Sequence, residues 1–200
     1  MSDDSEKIID IYKRHARTYA EDRGSALMEK AWLDEFLATL GEHPRVLDIG
    51  CGSGDPIARY LISAGARLTG VDSSNELLAM CRTKFPEQSW IEADMRTLSL
   101  GRQYDGILAW DSFFHLSPDD QRRMFPIFQD HAAPGSSLMF TSGTSHIEAT
   151  GEYRGEPLYH ASLDPSEYRM LLKTNGFEVT ANAVEDPSCG RHTIWLAHRG

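Results

Sequence analysis

The stretch RVLDIGCGSG at residues 45–54 constrains this chain more than any other. It begins as a short apolar run and turns at once into glycine at positions 50, 52 and 54. Glycine loses more backbone freedom on folding than any other residue. Three in five positions therefore imply a backbone that turns sharply or is closely approached. A helical pattern, DPIARYLISAG, follows and is closed by Gly65. Strand, glycine loop and helix in that order form the first half of a βαβ unit.

The alternation continues. RLTGVD reads as a second strand, and Ser73 with Glu76 has the spacing of a capping box opening a helix to about Phe85. SWIEAD and YDGILAW are the third and fourth strands. Ser117 caps the next helix, with Pro118 in its first turn. SSLMFTS is the fifth strand, and Asp164, Pro165 and Glu167 open a further capped helix ended by Gly176. FEVTANAV and HTIWLAHR close the chain. The link between them, EDPSCGR, is too short for a crossover, so they are antiparallel neighbours. Upstream, Ile8, Ile9, Tyr12, Ala16 and Tyr19, then Trp32, Leu33, Phe36, Leu37 and Leu40, recur at helical spacing.

The expected fold is α/β: a doubly wound, Rossmann-like seven-stranded sheet, mostly parallel, with a C-terminal antiparallel hairpin and a helical N-terminal cap. A single domain is expected over residues 1–200, with the cap at 1–41 and a substrate-side lid insertion at 143–163. That insertion is long for a loop in a compact domain, which favours a binding role.

Charge and cysteine usage exclude several classes. The net charge of −10 argues against nucleic-acid binding, whose affinity rests on basic contacts to phosphate. MSDDSEKIID has no basic start and no apolar centre, so no signal peptide is expected. No stretch approaches the roughly 18 apolar residues of a membrane span. Cys51, Cys81 and Cys189 lie far apart without CxxC spacing, which predicts reduced thiols, a cytoplasmic chain and no metal site. The oligomeric state stays open between monomer and homodimer.

In an open α/β sheet, ligands bind beyond the carboxyl ends of the strands, near the point where strand order reverses. Asp72 ends the second strand, 18 residues beyond Gly54. A carboxylate there accepts from a ribose diol, or only caps the following helix. Asp94 ends the third strand, where it accepts from an adenine amine or is a plain loop aspartate. NAD and S-adenosylmethionine both carry an adenosine. The dinucleotide fingerprint is G-x-G-x-x-G, whereas this chain has G-x-G-x-G, which suits a ligand without pyrophosphate.

VLDIGCGSG, GVDSS, EADM and YDGILAWDSFFHL, in that order and spacing, resemble the class I S-adenosylmethionine-dependent methyltransferases. IYKRHARTYAEDR also resembles a segment that precedes the domain in small-molecule members. The resemblance implies that Asp48, Gly50, Cys51, Gly52 and Gly54 cradle the methionine part. It implies that Asp72 and Ser73 meet the ribose, that Asp94 and the Met95 backbone face the adenine, and that Trp110 and Asp111 border the methionine and the acceptor. Tyr19 covers the cofactor or packs in the core. Arg23 pairs with the methionine carboxylate or lies on the surface.

Three segments reach the acceptor side of the same edge: WDSFFHL, residues 143–163, and EDPSCGR. His115 is the first candidate for a general base, because an imidazole titrates near working pH; the alternative is a histidine that packs behind the cofactor. Asp111 is the second catalytic candidate. His146, Tyr153, Tyr159 and His160 of the lid are candidate substrate contacts. AWDSFFHL lacks the N/D-P-P-Y/F pattern of methyltransferases acting on base amines and some glutamines, which with the acidic charge favours a small-molecule acceptor. The expectation is methyl transfer from S-adenosylmethionine by direct displacement. The alternatives are a module that binds S-adenosylmethionine without transfer, and an NAD-dependent dehydrogenase.

Overall fold

The computed structural model describes residues 4–200, so the first three residues of the expected cap lie outside the described residues. Five parallel-running strands form most of one sheet: β1 (Arg45–Ile49), β2 (Arg67–Asp72), β3 (Ser89–Glu92), β4 (Tyr104–Ala109) and β5 (Ala132–Ser142). Two further strands, β8 (Phe177–Asp186) and β9 (His192–Arg199), complete it in the order β3-β2-β1-β4-β5-β9-β8. β9 runs antiparallel to both β5 and β8, so β8 points the same way as the parallel strands. Strand order reverses between β1 and β4, and the carboxyl ends of those two strands flank the crevice.

The strands read as short apolar runs because both faces are covered. Along β4 and β9 the alternation is plain. Ile107, Ala109, Trp195 and Ala197 join one core with Phe125 and Phe128 of α6 (Pro118–His131) and Tyr168 of α7 (Pro165–Thr174). Leu108, Ile194 and Leu196 join the opposite core. That second core includes Leu33 and Phe36 of α3 (Lys30–Ala38), Leu61 of α4 (Ile57–Ser63) and Leu78 of α5 (Asn75–Lys84). α3 is therefore one of the helices that cover the sheet, whereas α1 (Asp4–Arg14) and α2 (Ala16–Arg23) contribute to neither of these two cores. Close packing of α3 depends on Gly106 of β4, where an added Cβ would lie 2.6 Å from the Phe36 ring.

Two local expectations are corrected. The cap of α5 is Ser74, not Ser73: Ser74 Oγ accepts from Leu77 N at 3.4 Å. The Asp72 carboxylate accepts from Ser74 N at 2.9 Å, which fixes that residue as the helix boundary. Residues 143–163 are not a plain loop either. They fold into a separate hairpin of β6 (Ile147–Tyr153) and β7 (Glu156–Ser162), turned by Arg154 and Gly155 at φ 55° and 82°. β7 packs Tyr159 and Ala161 against Ile8 and Ile11 of α1, so hairpin and α1 form one roof over the sheet edge. Among the described residues no helix is long and apolar enough to cross a membrane.

Removing the Phe36 ring leaves a cavity between α3 and β4. Phe36→Ala is expected to cost about 3–5 kcal/mol in urea unfolding. A loss below about 1 kcal/mol would show that α3 is a peripheral cap rather than part of the core.

Candidate active site

The carboxyl edge of the sheet opens into a cleft of about 750 Å³, beside a recess of about 380 Å³. Tyr19, Gly50, Gly52 and Asp111 line both, so the two spaces adjoin. Together they suit a ligand of nucleoside-amino-acid size.

The glycines of the first loop divide by purpose. All three have positive φ. A Cβ at Gly50 would stand 2.2 Å from the Ser112 Cβ, so protein packing alone requires that glycine. Ser112 in turn is held by its hydroxyl donating to Ile49 O at 2.7 Å. Gly54 is crowded by Cys81 and Phe85, each 3.2 Å from an added Cβ. Gly52 faces only the Tyr19 ring, at 3.4 Å, across the mouth of the recess. Of the three, Gly52 alone keeps its bare face toward the cavity.

Asp72 accepts from Gly52 N and Ser74 N, each at 2.9 Å. It ties the first loop to the start of α5 and still lines the cleft beside Ser73. Burial raises its carboxyl pKa above the ordinary value, partly offset by those amides. Asp94 caps a short 3-10 turn at Met95–Thr97. Burial alone would push its carboxyl up, but the Arg96 guanidinium, 2.6 Å away, brings it below the usual range. Asp94 and Met95 both line the cleft.

Asp48 lines the recess with only 3% of its surface exposed, and it has no hydrogen-bond partner among the described residues. Burial and the nearby Asp72 push its carboxyl up to about 7. Cys51 is half-buried behind the loop; burial raises its thiol pKa well above the ordinary value. Trp110 is buried against the recess, its ring 5.5 Å from that of His192. Arg23 reaches the recess but is already paired with Glu29 and donates to Ala26 O at 3.1 Å. Glu29 is fully buried, and its Oε2 has no partner among the described residues.

His115 is also nearly buried. Its Nδ1 lies 2.8 Å from Tyr159 O, which forces that nitrogen to carry the proton. Its Nε2, 2.9 Å from Tyr12 Oη, is then the acceptor. Burial pulls the imidazole down to about 4, so it is neutral at pH 7. Burial raises the phenol pKa of Tyr12 and of Tyr19, so both rings keep their protons.

None of the four candidate lid contacts lines the cleft or the recess: the His160 ring lies tilted, 4.9 Å from that of His115, and Tyr153 donates to Asp22 at 3.0 Å. Tyr159 turns away from the cleft into the roof, its hydroxyl 2.5 Å from Glu148. His146 is exposed and lines neither cavity, because the turn before β6 carries it outward. His192, which the sequence analysis does not single out, is the partner of Asp111. Its Nε2 is 2.9 Å from Asp111 Oδ1 and its Nδ1 is 2.7 Å from Cys189 O. The available signal was topological: the start of antiparallel β9 lies beside the end of β5, on the same edge as Asp111.

The His115 geometry makes a direct prediction. In a nitrogen-15 NMR titration the His115 ring is expected to stay neutral, protonated on Nδ1, down to about pH 4–5. Protonation near the ordinary histidine value would mean that the Tyr12 and Tyr159 contacts do not hold in solution.

Residues 46–135 match the family model described as a methyltransferase domain. The chain is similar to a malonyl-(acyl-carrier protein) O-methyltransferase of Pseudescherichia vulneris, 31% identical over 58% of this chain and 47% of that relative. It is also similar to a trans-aconitate 2-methyltransferase of Azoarcus sp. (strain BH72), 33% identical over 50% of this chain and 39% of the relative. The chain thus spans less than half the length of these two relatives. In fold it is similar to magnesium protoporphyrin IX methyltransferase from Synechocystis PCC 6803 solved with bound S-adenosylmethionine. The TM-score is 0.71 at 20% identity, covering 100% of this chain and 99% of the other. Residues 46–135 thus resemble a methyltransferase domain in sequence, and the whole chain shares the fold of solved S-adenosylmethionine-dependent methyltransferases.

Proposed function

We propose that this protein transfers a methyl group from S-adenosylmethionine to a small-molecule acceptor. The observation that carries the reading is a cleft that Gly52, Asp72, Asp94 and Asp111 line together from the loops after β1, β2, β3 and β4, with a second recess adjoining it. When bound, S-adenosylmethionine supplies a methyl group already activated on a sulfonium. What remains for the protein is alignment and the exclusion of water. Asp72 suits the ribose hydroxyls, having two amides on its oxygens and lone pairs to spare. The turn at Asp94 and Met95 suits the base, and the recess with Gly52, Asp48 and Arg23 suits the methionine end. The buried, unpartnered Asp48 is the fit that matters most, because an isolated carboxylate is costly unless a cationic ligand meets it.

A small acceptor follows from the roof. α1 and α2 are clasped to the β6–β7 hairpin by Glu156 with Arg14 and His15, and by Asp22 with Arg154 at 2.8 Å. They leave a confined cavity rather than an open face. Tyr12, with its proton directed at neutral His115, keeps oxygen lone pairs for an acceptor hydroxyl or amine. In this reading His115 orients Tyr12 by accepting its proton in a hydrogen bond. An acidic chain with free cysteines suits a reducing cytoplasm.

Calorimetric titration should give micromolar or tighter binding of S-adenosylmethionine and of its demethylated product. Absence of both would overturn the reading. Asp72→Ala should weaken that binding by about 1–3 kcal/mol in a variant that still unfolds cooperatively. Unchanged affinity would remove Asp72 from the site.

Asp48 gives a test through stability. Its folded pKa lies above its unfolded value, so its contribution is fully present below the ordinary carboxylate range and is lost as pH rises through about 7. A neutral amide escapes that loss. Asp48→Asn should therefore stabilise the ligand-free protein at pH 8 by roughly 2–4 kcal/mol while weakening S-adenosylmethionine binding. A variant that is less stable at pH 8 would show that Asp48 is a structural residue.

A further inference from the structure

Among the described residues, the cations that line the cavity or stand behind its carboxylates are engaged in ion pairs. Arg23 is paired with Glu29, Arg96 with Asp94, and His192 with Asp111. Asp48 and Asp72 add carboxylates with no cationic partner among the described residues. An anionic acceptor therefore meets no available positive charge, whereas a cationic one meets an excess of negative charge.

Asp111 is the best placed of these carboxylates. It stands where cleft and recess adjoin, and its backbone is held at φ 49°, a left-handed conformation uncommon outside glycine. Thr141 supports that conformation: its Oγ accepts from Asp111 N at 2.9 Å and donates to Oδ1 at 3.3 Å. His192 fixes the carboxylate from behind. Its Nδ1 faces the Cys189 carbonyl and its Nε2 faces Asp111, so both nitrogens are held as donors, and Asp111 raises its pKa. In front of Asp111 stand Tyr12 and Tyr19, in an edge-to-face pair with centroids 5.0 Å apart. Both phenols feel the Asp111 charge. A fixed carboxylate beside aromatic walls is the chemistry that holds an ammonium. Backbone strain maintained by surrounding contacts is typical of a functional position.

We propose that Asp111 docks the amino group of the methyl acceptor, that His192 is its positioning residue, and that the acceptor is an amine with an apolar or aromatic body. This rests on the methyl-transfer reading above. The bound ammonium first gives a proton to water. The neutral nitrogen lone pair then forms the bond to the methyl carbon as the carbon–sulfur bond breaks. The electron pair of that bond stays on sulfur, and the methylated nitrogen leaves as an ammonium.

The test is calorimetry on protein saturated with S-adenosylhomocysteine, using phenethylamine and the similarly sized 3-phenylpropanoate as probes. The amine is expected to bind about tenfold or more tightly than the acid, and Asp111→Asn should remove that preference. Both probes are measured at saturating S-adenosylhomocysteine, so a change in cofactor affinity does not enter the comparison, and a cooperative urea unfolding transition shows that the variant is folded. His192→Gln should weaken the amine less than Asp111→Asn does. Equal or tighter binding of the acid overturns the inference, as does failure of both probes at millimolar concentration or an unchanged amine preference in Asp111→Asn. Failure of S-adenosylhomocysteine itself to bind overturns the cofactor reading, and this inference with it.

Discussion

The pairing of β1 with β4 is the constraint on which the rest of the structure depends. Val46, Leu47 and Asp48 lie in parallel register with Gly106, Ile107 and Leu108. This makes the loops after the two strands leave the sheet side by side and diverge to its opposite sides. Ser112, just beyond β4, then bonds back to Ile49 O at the end of β1. That bond presses Ser112 onto Gly50 and leaves no room for a side chain there. The glycine loop is shaped first by its neighbour across the switch point and only secondarily by a ligand.

This explains what was legible in the sequence. Strands buried on both faces have a distinctive pattern, so β1, β2, β4, β5 and β9 appear as apolar runs separated by caps and glycines. β6 carries no such pattern because its residues are nearly all exposed. Its pairing with β7 is set by the two-residue turn at Arg154 and Gly155 and by α1 beneath β7. The cap of α5 moved from Ser73 to Ser74 because Asp72 occupies the amide that decides where the helix starts. In that case the competing interaction was a carboxylate already singled out for another reason.

The site shows the same division. Asp48, Asp72, Asp94 and Asp111 could be placed from sequence because each lies in the last two positions of a recognisable strand or just beyond one. The partners that set their chemistry could not. Asp111 and His192 are 81 residues apart and meet only through the antiparallel register of β9 with β5. Glu29 lies between helical segments and resembles an ordinary surface glutamate, yet it is fully buried against Arg23. Charge composition gave the sign of the protein but not which cations were already engaged.

These engaged cations carry the electrostatic argument. A cavity whose acids are all paired would be indifferent to the charge of what enters it. Here Asp48 is buried without a partner and held partly protonated near neutral pH, an arrangement that weakens the empty protein. Such a carboxylate persists in a fold when something else depends on it. Under the proposed function, the sulfonium and amino groups of S-adenosylmethionine supply the missing positive charge at the recess. Asp111, aligned by Thr141 and His192, offers the same attraction at the junction with the cleft, where an acceptor must approach. Donor and acceptor are then drawn toward one short stretch of the sheet edge by the same excess of buried negative charge. Methyl transfer to an amine leaves the positive charge in that region, because it passes from sulfur to nitrogen rather than disappearing. The carboxylates that attract the reactants are therefore the groups best placed to stabilise charge as it moves between them.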